Sequence, residues 1–233
     1  MPALDAALAN ALRRLDGCAI ANAIETFDVR LRNEGFTDGR IRCRFDRQPP
    51  VLGHAVTARI RSSTPPPVGH NYVDRTDWWN YILTVPAPRI VVVQDIDDTV
   101  GRGALMGEVH ANILRALDCA AYATNGAVRD LDGVSKTGLQ LFAGSLSVSH
   151  AYVHIVDFGG PVDVAGLSVQ TGDLLFGDCH GLQSIPPSLA AEIPWVAAEM
   201  QQREQRVIDF CKSPEFSVEG LRATINGARV HRT

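Results

Sequence analysis

Two short segments, GRGALMGE at residues 101–108 and NGAVRDLD at residues 125–132, carry most of the information about the fold. Between them, apolar residues at helical spacing in 109–117 predict a helix, and the apolar run at 120–124 predicts a buried strand. The two segments are therefore linked as loop, helix, strand and loop. This alternation is typical of an α/β fold with parallel strands.

The flanking sequence extends this pattern on both sides. Alternation in 54–60 predicts a half-buried strand, whereas the β-branched run at 89–94 predicts a strand covered on both faces. Later strands are expected at 145–149, 153–158 and 173–176.

The length and the helical patterns predict how the chain is organised. We expect a single domain over residues 1–233, with N-terminal helices in about 1–30, a core in about 50–185 and a long C-terminal helix at about 187–212. The first helix should end at Gly17. The expected architecture is α/β, with a mixed sheet and flanking helices.

The composition excludes several classes of protein. The chain has 22 Lys and Arg against 26 Asp and Glu, and its net charge of −4 without a basic run argues against nucleic acid as a partner. Five widely separated cysteines without a CxxC motif are expected to be free thiols in a reducing cytoplasm. No apolar run is long enough to span a membrane and no leader is visible, so we expect a cytoplasmic protein.

The glycine-rich segment before the predicted helix indicates an anion site. The first turn of a helix leaves backbone N–H groups unpaired at the positive end of the helix dipole. The amides of Glu108, Val109 and His110 would then bind a carboxylate or a phosphate. No Lys-Ser/Thr pair follows, so the segment is not a Walker loop. The alternative is that the glycines only form a tight turn.

The second segment places charged residues at the carboxyl end of a strand, where ligands bind in open α/β sheets. Arg129 offers a planar guanidinium for a carboxylate, and Asp130 and Asp132 offer hard oxygen ligands for Mg²⁺ or Mn²⁺. The alternative is a surface ion pair beside a solvated turn. A crossover helix would place this segment beside the glycine-rich one, which favours a shared site.

The two segments together resemble the signature of the RraA-like / 4-hydroxy-4-methyl-2-oxoglutarate aldolase family, through Gly107-Glu108 followed by Gly126-x-x-Arg129-Asp130-x-Asp132. The resemblance extends along the chain. Residues 53–58 are similar to the family's early strand, and residues 161–162, 166 and 172–178 are similar to its late strands.

This resemblance implies a β/β/α swivelling-type domain that assembles as a homotrimer or hexamer, with active sites between subunits. The family's aldolases use a divalent cation, Mg²⁺ or Mn²⁺, as cofactor. They cleave 4-hydroxy-4-methyl-2-oxoglutarate or a related 4-carboxylated 2-oxo acid to pyruvate, and they also decarboxylate oxaloacetate. The implied partner is therefore a small 2-oxo di- or tricarboxylate substrate.

The resemblance also implies roles for single residues. Arg129 would bind the pyruvyl carboxylate, Asp130 would ligate the metal, and Asp132 would order water around it. The carboxylate or carbonyl side of the substrate would bind at Gly107 and at the amides of Glu108, Val109 and His110. A cation that stabilises the enolate makes a Schiff-base lysine unnecessary.

Some features of the family match less closely. Its aldolases receive an acid from the C-terminal helix of a neighbouring subunit; Glu204 is the first candidate and Glu199 the second, although both also fit a solvated helix face. His180 stands where an acid is common, which leaves the substrate open. The alternative function is an RraA-type regulator that binds a ribonuclease without catalysis. Regulatory members lack the third acid, so Asp132 favours a lyase.

Other polar groups are expected to be structural. Asp95, Asp97 and Asp98 follow a buried strand and are predicted to form a solvated turn, with metal binding at the strand end as the alternative. His150 and His154 are four residues apart, but this spacing suits a metal pair on a helix and not one in a strand or turn.

Overall fold

The computed structural model of the chain describes residues 4–66 and 75–228. Its helices are α1 (Ala6–Arg13), α2 (Gly17–Glu25), α3 (Arg75–Leu83), α4 (Glu108–Ala116), α5 (Leu131–Thr137), α6 (Ile193–Lys212) and α7 (Val218–Ala228). Its strands are β1 (Arg42–Cys43), β2 (Val51–Arg61), β3 (Arg89–Asp95), β4 (Ala104–Met106), β5 (Cys119–Val128), β6 (Gln140–Leu146), β7 (His154–Phe158), β8 (Val162–Val164), β9 (Leu167–Val169), β10 (Leu174–Asp178) and β11 (Gly181–Ile185).

Nine of these strands form one mixed sheet. Its order is β1-β6-β5-β3-β2-β10-β11, with β4 beside β5 and β7 beside β2. The central strands β2, β3, β5 and β6 are parallel neighbours, while β8 and β9 form a separate hairpin. The expected fold class, α/β with a mixed sheet, flanking helices and a C-terminal helix, is confirmed.

Strand β3 shows how the sheet is covered on both sides, as its all-apolar sequence predicts. Val91 and Val93 face the apolar cluster beneath α3 and α4. Ile90 and Val92 point the opposite way, into a cluster closed by the β8–β9 hairpin. A third cluster lies where α1, α2 and α6 pack on β10 and β11. Both faces of the sheet are therefore core, and ligands can reach only its edges and strand ends.

The prediction that residues 54–60 form a half-buried strand was wrong in its burial. Nearly every residue of β2 is buried, although the sequence alternates. A polar side chain of β2 forms hydrogen bonds within the protein and not with solvent. Thr57 Oγ1 donates to Gly160 O at 2.7 Å and lies 2.7 Å from Thr171 Oγ1. Satisfied hydroxyl groups can line a core face that the pattern alone assigns to water.

Two helix boundaries also differ from expectation. Gly17 begins α2 and does not end α1, because the Asp16 side chain accepts a hydrogen bond from Ala19 N at 2.7 Å and caps the new helix. The C-terminal helix starts at Ile193 instead of about 187. Pro194 explains this start, since proline lacks an N–H and fits only the first helical turn.

Several elements were longer, shifted or not expected. The segment NGAVRDLD was treated as a loop, but its first half continues β5 to Val128. The strand expected at 145–149 lies earlier, at Gln140–Leu146, where it pairs with β5. No expectation covered α5, α7 or β11. The region of the β8–β9 hairpin was expected only through its similarity to late strands of the family, and its turn places Ala165 and Gly166 at positive φ. The shifts at β5 and β6 move the functional segments to the very ends of parallel strands.

Candidate functional site

The two segments that open the sequence argument meet at one edge of the sheet. Strand β4, formed by the middle of GRGALMGE, runs parallel to the end of β5, and Met106 pairs with Val128. Arg129 N then donates to Met106 O at 3.0 Å. As expected from a crossover helix, Gly107-Glu108 and Arg129-Asp130 lie side by side.

The first turn of α4 provides the expected donors. Gly107 occupies the N-cap with an extended backbone and no side-chain cap. Glu108 N points at Asp130 Oδ2 over 3.3 Å, while the amides of Val109 and His110 follow in the same turn. A Cβ at Gly107 would lie 2.6 Å from Asp130 Oδ2. Any side chain at this position would therefore displace the carboxylate of Asp130 from the helix end.

Arg129 and Asp130 form the polar centre of the site. Asp130 has a left-handed backbone with φ of 54°, and its Oδ1 lies 3.3 Å from Arg129 Nε. Arg129 Nη1 is 3.0 Å from His150 Nδ1. Because arginine can only donate, Nδ1 of His150 accepts, and this fixes the orientation of the guanidinium between an imidazole and a carboxylate.

A cavity of about 190 Å³ lies above these groups. Its polar lining comprises Arg75, Glu108, His110, Arg129, Asp130 and His150. Its apolar lining includes Trp78, Trp79, Leu105, Val109, Ile113 and Ile155. Apolar walls with a few convergent charged groups are typical of a small-molecule site.

His110 is the most perturbed titratable group in the cavity. Its Nδ1 lies 3.2 Å from Leu105 O and must donate there, since a carbonyl only accepts. Its Nε2 is buried and has no hydrogen-bond partner within the described part of the chain. Burial lowers the pKa of His110 to about 4, and the nearby charge of Arg75 adds to the effect. The imidazole is thus neutral at pH 7 and presents an unsatisfied acceptor.

The donor set fits Mg²⁺ or Mn²⁺ bound mainly through one carboxylate. Asp130 is partly exposed, and its two contacts of 3.3 Å leave further lone pairs on both oxygens. In the residues that the structure describes, no three acidic or imidazole ligand atoms converge around it. Mg²⁺ usually keeps several waters and binds through one or two carboxylates and the substrate, so a site with a single carboxylate is compatible with it.

Three acids considered for the site, Asp132, Glu204 and Glu199, lie outside the cavity lining of this chain. Asp132 is exposed in the first turn of α5. Glu204 is exposed on α6, and Glu199 on the same helix pairs with Arg203 at 3.2 Å. The chain by itself therefore brings together the glycine-rich segment, Arg129 and Asp130, but not these acids.

The acidic cluster after β3 was wrongly expected to be solvated. Asp95 and Asp97 are buried, and only the third acid is exposed. Asp95 Oδ2 accepts from Gly101 N at 2.8 Å, and burial raises the pKa of Asp95. Burial also tends to raise the pKa of Asp97, but the hydrogen bonds that Ser62 N and Ser63 N donate outweigh burial, so the pKa of Asp97 is lowered. These carboxylates hold the loop that leads into β4.

The sequence argument missed part of the cavity. His150 was considered only as a metal ligand, whereas the structure places it on the guanidinium of Arg129. Trp78 and Trp79, which no expectation placed in the site, both line the cavity. His70 and Asn71, polar residues of the loop before α3 that are candidates for an effect on substrate choice, lie outside the described residues.

Residues 17–183 match the model of the RraA-like family, described as Aldolase/RraA. The chain belongs to this family. The description covers aldolases and RraA proteins, so the RraA-like family includes both enzymes and inhibitors of RNA processing. No curated protein matches the chain.

Solved structures share the fold at low sequence identity. An uncharacterized protein from Pseudomonas syringae pv. tomato is 21% identical with a TM-score of 0.73, over 96% of each chain. RraAS2 from Streptomyces coelicolor, described as an unusual member of the RNase ES inhibitor RraA family, is 20% identical with a TM-score of 0.68, over 88% of this chain and 97% of its own. RraA from Thermus thermophilis, described as an RNA-processing inhibitor, is 17% identical with a TM-score of 0.52, over 71% and 92%.

Hydropathy adds one constraint on this RraA-like chain. None of the helices within residues 4–66 and 75–228 combines the length and the apolar character that a bilayer crossing demands.

Proposed function

We propose that this RraA-like protein is a divalent-metal-dependent lyase. It would cleave 4-hydroxy-4-methyl-2-oxoglutarate or a related 4-carboxylated 2-oxo acid to pyruvate, with decarboxylation of oxaloacetate as a side activity. The observation that carries the proposal is the meeting of the α4 amides, Arg129 and Asp130 at adjacent strand ends inside one cavity. Such a site offers a place for a carboxylate, a keto oxygen and a cation together.

The substrate would be held by groups that bind its negative charges. Arg129, already oriented by His150, would take the pyruvyl carboxylate through two parallel N–H donors. The amides of Val109 and His110 would take the second carboxylate at the positive end of α4. Two anchors at fixed separation favour a dicarboxylate over a monocarboxylate.

Asp130 would hold the Mg²⁺ or Mn²⁺ ion. When bound, a divalent cation acts as a Lewis acid that stabilises negative charge on the keto oxygen as the carbon–carbon bond breaks. Gly107 lets the carboxylate of Asp130 approach α4, and Glu108 N limits its rotation. Asp132, two residues along, would orient water at the exposed side of the site.

His110 and the apolar walls would act on the rest of the substrate. The unpartnered Nε2 of His110 would accept a hydrogen bond from a substrate hydroxyl. Trp78, Trp79 and Ile155 exclude water from the same space and so strengthen the polar contacts. These groups add shape selectivity without adding charge.

We further propose that a second copy of the chain completes the site. Val109 on the cavity is 76% exposed, and Leu146 and Val148 line a depression that shares Arg129 and Asp130. Apolar side chains exposed around a charged cavity favour a subunit contact. A trimer or hexamer would let Glu204, or else Glu199, reach the site of its neighbour. Light scattering after gel filtration tests the assembly.

The decisive experiment measures pyruvate release from oxaloacetate or 4-hydroxy-4-methyl-2-oxoglutarate with a lactate dehydrogenase coupled assay. Mg²⁺ or Mn²⁺ is added with and without a chelator, and the spontaneous rate without protein is subtracted. Arg129→Ala should lower kcat/KM about 10- to 100-fold, the effect of losing ~1.5–3 kcal/mol of charged hydrogen bonds. The Asp130→Asn variant should lose the metal-dependent release of pyruvate.

Matched variants separate chemistry from folding. Asp118 precedes β5 with φ of 52°, nearly the 54° of Asp130 at the other end of the strand, so Asp118→Asn makes the same change in the same backbone geometry. Arg102 is exposed and lies outside the cavity, so Arg102→Ala is the matched control for Arg129→Ala. Both controls should keep full activity. Absence of metal-dependent pyruvate release, or equal release by Asp130→Asn and Asp118→Asn, would count against the metal-dependent lyase, and no release at all would favour a ribonuclease-binding regulator.

A further inference from the structure

A second cluster of reactive side chains lies in the turn between β10 and β11. It consists of Asp178, the last residue of β10, and of Cys179 and His180 in the turn that follows. The sequence left the role of His180 open. Among the described residues this is the one place where three potential metal-ligand atoms lie within 4.8 Å of one another. None of the three lines the cavity at Arg129.

The distances within the cluster fit a tetrahedral ion. His180 Nδ1 lies 3.5 Å from Cys179 Sγ and 3.2 Å from Asp178 Oδ1. A tetrahedral Zn²⁺ with ordinary bond lengths places sulfur and nitrogen ligands ~3.6 Å apart and oxygen and nitrogen ligands ~3.4 Å apart. The third pair, Cys179 Sγ and the Asp178 carboxylate, lies within 4.8 Å, so the exposed Cys179 and His180 side chains would turn to close around one ion.

The fold holds the carboxylate of the cluster in place. Asp178 is 6% exposed, and its Oδ2 accepts from Gly17 N at 2.6 Å. Its Oδ1 accepts from His180 N at 2.9 Å. Each carboxylate oxygen has two lone pairs, so a cation can still bind. Cys179 and His180 are exposed and free to turn toward it.

A cavity of about 220 Å³ opens beside the cluster and is lined by Cys18, Thr37, Asp178 and His180. Cys18 follows the glycine that donates to Asp178. The Cys18 thiol thus lies on the same cavity as the carboxylate of Asp178 and the imidazole of His180.

We propose that Asp178, Cys179 and His180 bind one Zn²⁺ ion, with the fourth coordination position facing the cavity that Cys18 lines. One thiolate and one imidazole select Zn²⁺ over the hard cations Mg²⁺ and Mn²⁺. The site is independent of the lyase proposal, because it shares no residue with the cavity at Asp130.

The test uses the full chain, reduced and stripped of metal by a chelator. Titration with Co²⁺ in excess Mg²⁺, which would occupy the site at Asp130, should give a thiolate-to-metal charge-transfer band in the near ultraviolet that saturates at one equivalent. Competition with a chromophoric chelator then measures the Zn²⁺ affinity. Cys179→Ser should abolish the band, and Cys179→Ser and His180→Gln should each weaken Zn²⁺ binding by at least ~100-fold, since loss of mere outer-shell partners already costs 10–100-fold.

Two controls make the result specific. Cys211 is exposed on α6, and Cys211→Ser removes a thiol without touching the cluster. Asp130→Asn removes the proposed lyase metal ligand. Both variants should bind Zn²⁺ as the parent chain does. A parent chain that gives no charge-transfer band, or Cys179→Ser and His180→Gln variants with unchanged affinity, would overturn the proposal whatever the lyase assay shows.

Discussion

The buried imidazole of His110 should make the stability of the protein depend on pH. Burial lowers the pKa of His110 from 6.5 to about 4. Between these values the unfolded chain binds the proton more readily than the folded chain, so stability falls as the pH drops. The stabilisation that the neutral imidazole of His110 provides is fully present above its unfolded pKa of 6.5 and is progressively lost as the pH approaches 4.

The size of this effect follows from the difference in pKa. Each pKa unit corresponds to 1.36 kcal/mol, which gives an upper limit of about 3 kcal/mol over the whole range. Acidification from pH 7 to pH 5 should remove about 2 kcal/mol of this stabilisation. Carboxylates also titrate in this region, so the contribution of His110 must be measured against a variant that cannot be protonated there.

Urea unfolding of the parent chain and of His110→Gln at pH 7 and pH 5 provides that comparison, at one protein concentration because assembly also affects stability. The parent should lose about 2 kcal/mol more than His110→Gln on acidification. If the parent and His110→Gln lose the same free energy, the imidazole is not buried as the structure has it.

Two further predictions concern packing at the site. Gly107→Ala should lower lyase activity by at least ~10-fold, because the new Cβ would lie 2.6 Å from Asp130 Oδ2 and displace an anchoring group. Gly160→Ala, whose Cβ would meet nothing within 4 Å, should leave kcat/KM unchanged, and equal effects in both would refute the steric argument. Trp78 is 1% exposed and packs against Phe158 at a ring distance of 5.6 Å, so Trp78→Ala should cost about 3–5 kcal/mol in urea unfolding. Trp79→Ala should cost clearly less, since Trp79 is only partly buried.

The sequence predicted those parts of the structure that depend on long local patterns. The apolar run of β3 and the stripe of α4 each mark an element clearly, and the handedness of the crossover places Gly107 beside Asp130. Three-residue strands such as β8 and β9 are too short to show a period. They form only because they cover an apolar face of the sheet.

The remainder of the site depends on contacts that no local pattern encodes. His150 is 21 residues from Arg129 and approaches it only through the loop after β6. The burial of Asp97 follows from donors at Ser62 and Ser63, which lie on another strand end. Side chains brought together by loops of different strands can be assigned to a site only once the register of the sheet is known.

The two ends of β5 show why the site at Asp130 calls for a functional explanation. Asp118 and Asp130 both have left-handed backbones, at φ of 52° and 54°, a conformation that aspartate tolerates better than most residues. Left-handed geometry alone therefore does not mark a site. Of the two carboxylates, only that of Asp130 pairs with an arginine side chain and with the first amide of a helix. A metal-dependent lyase would use a carboxylate held in this way, and the paired Asp130→Asn and Asp118→Asn variants test whether it does.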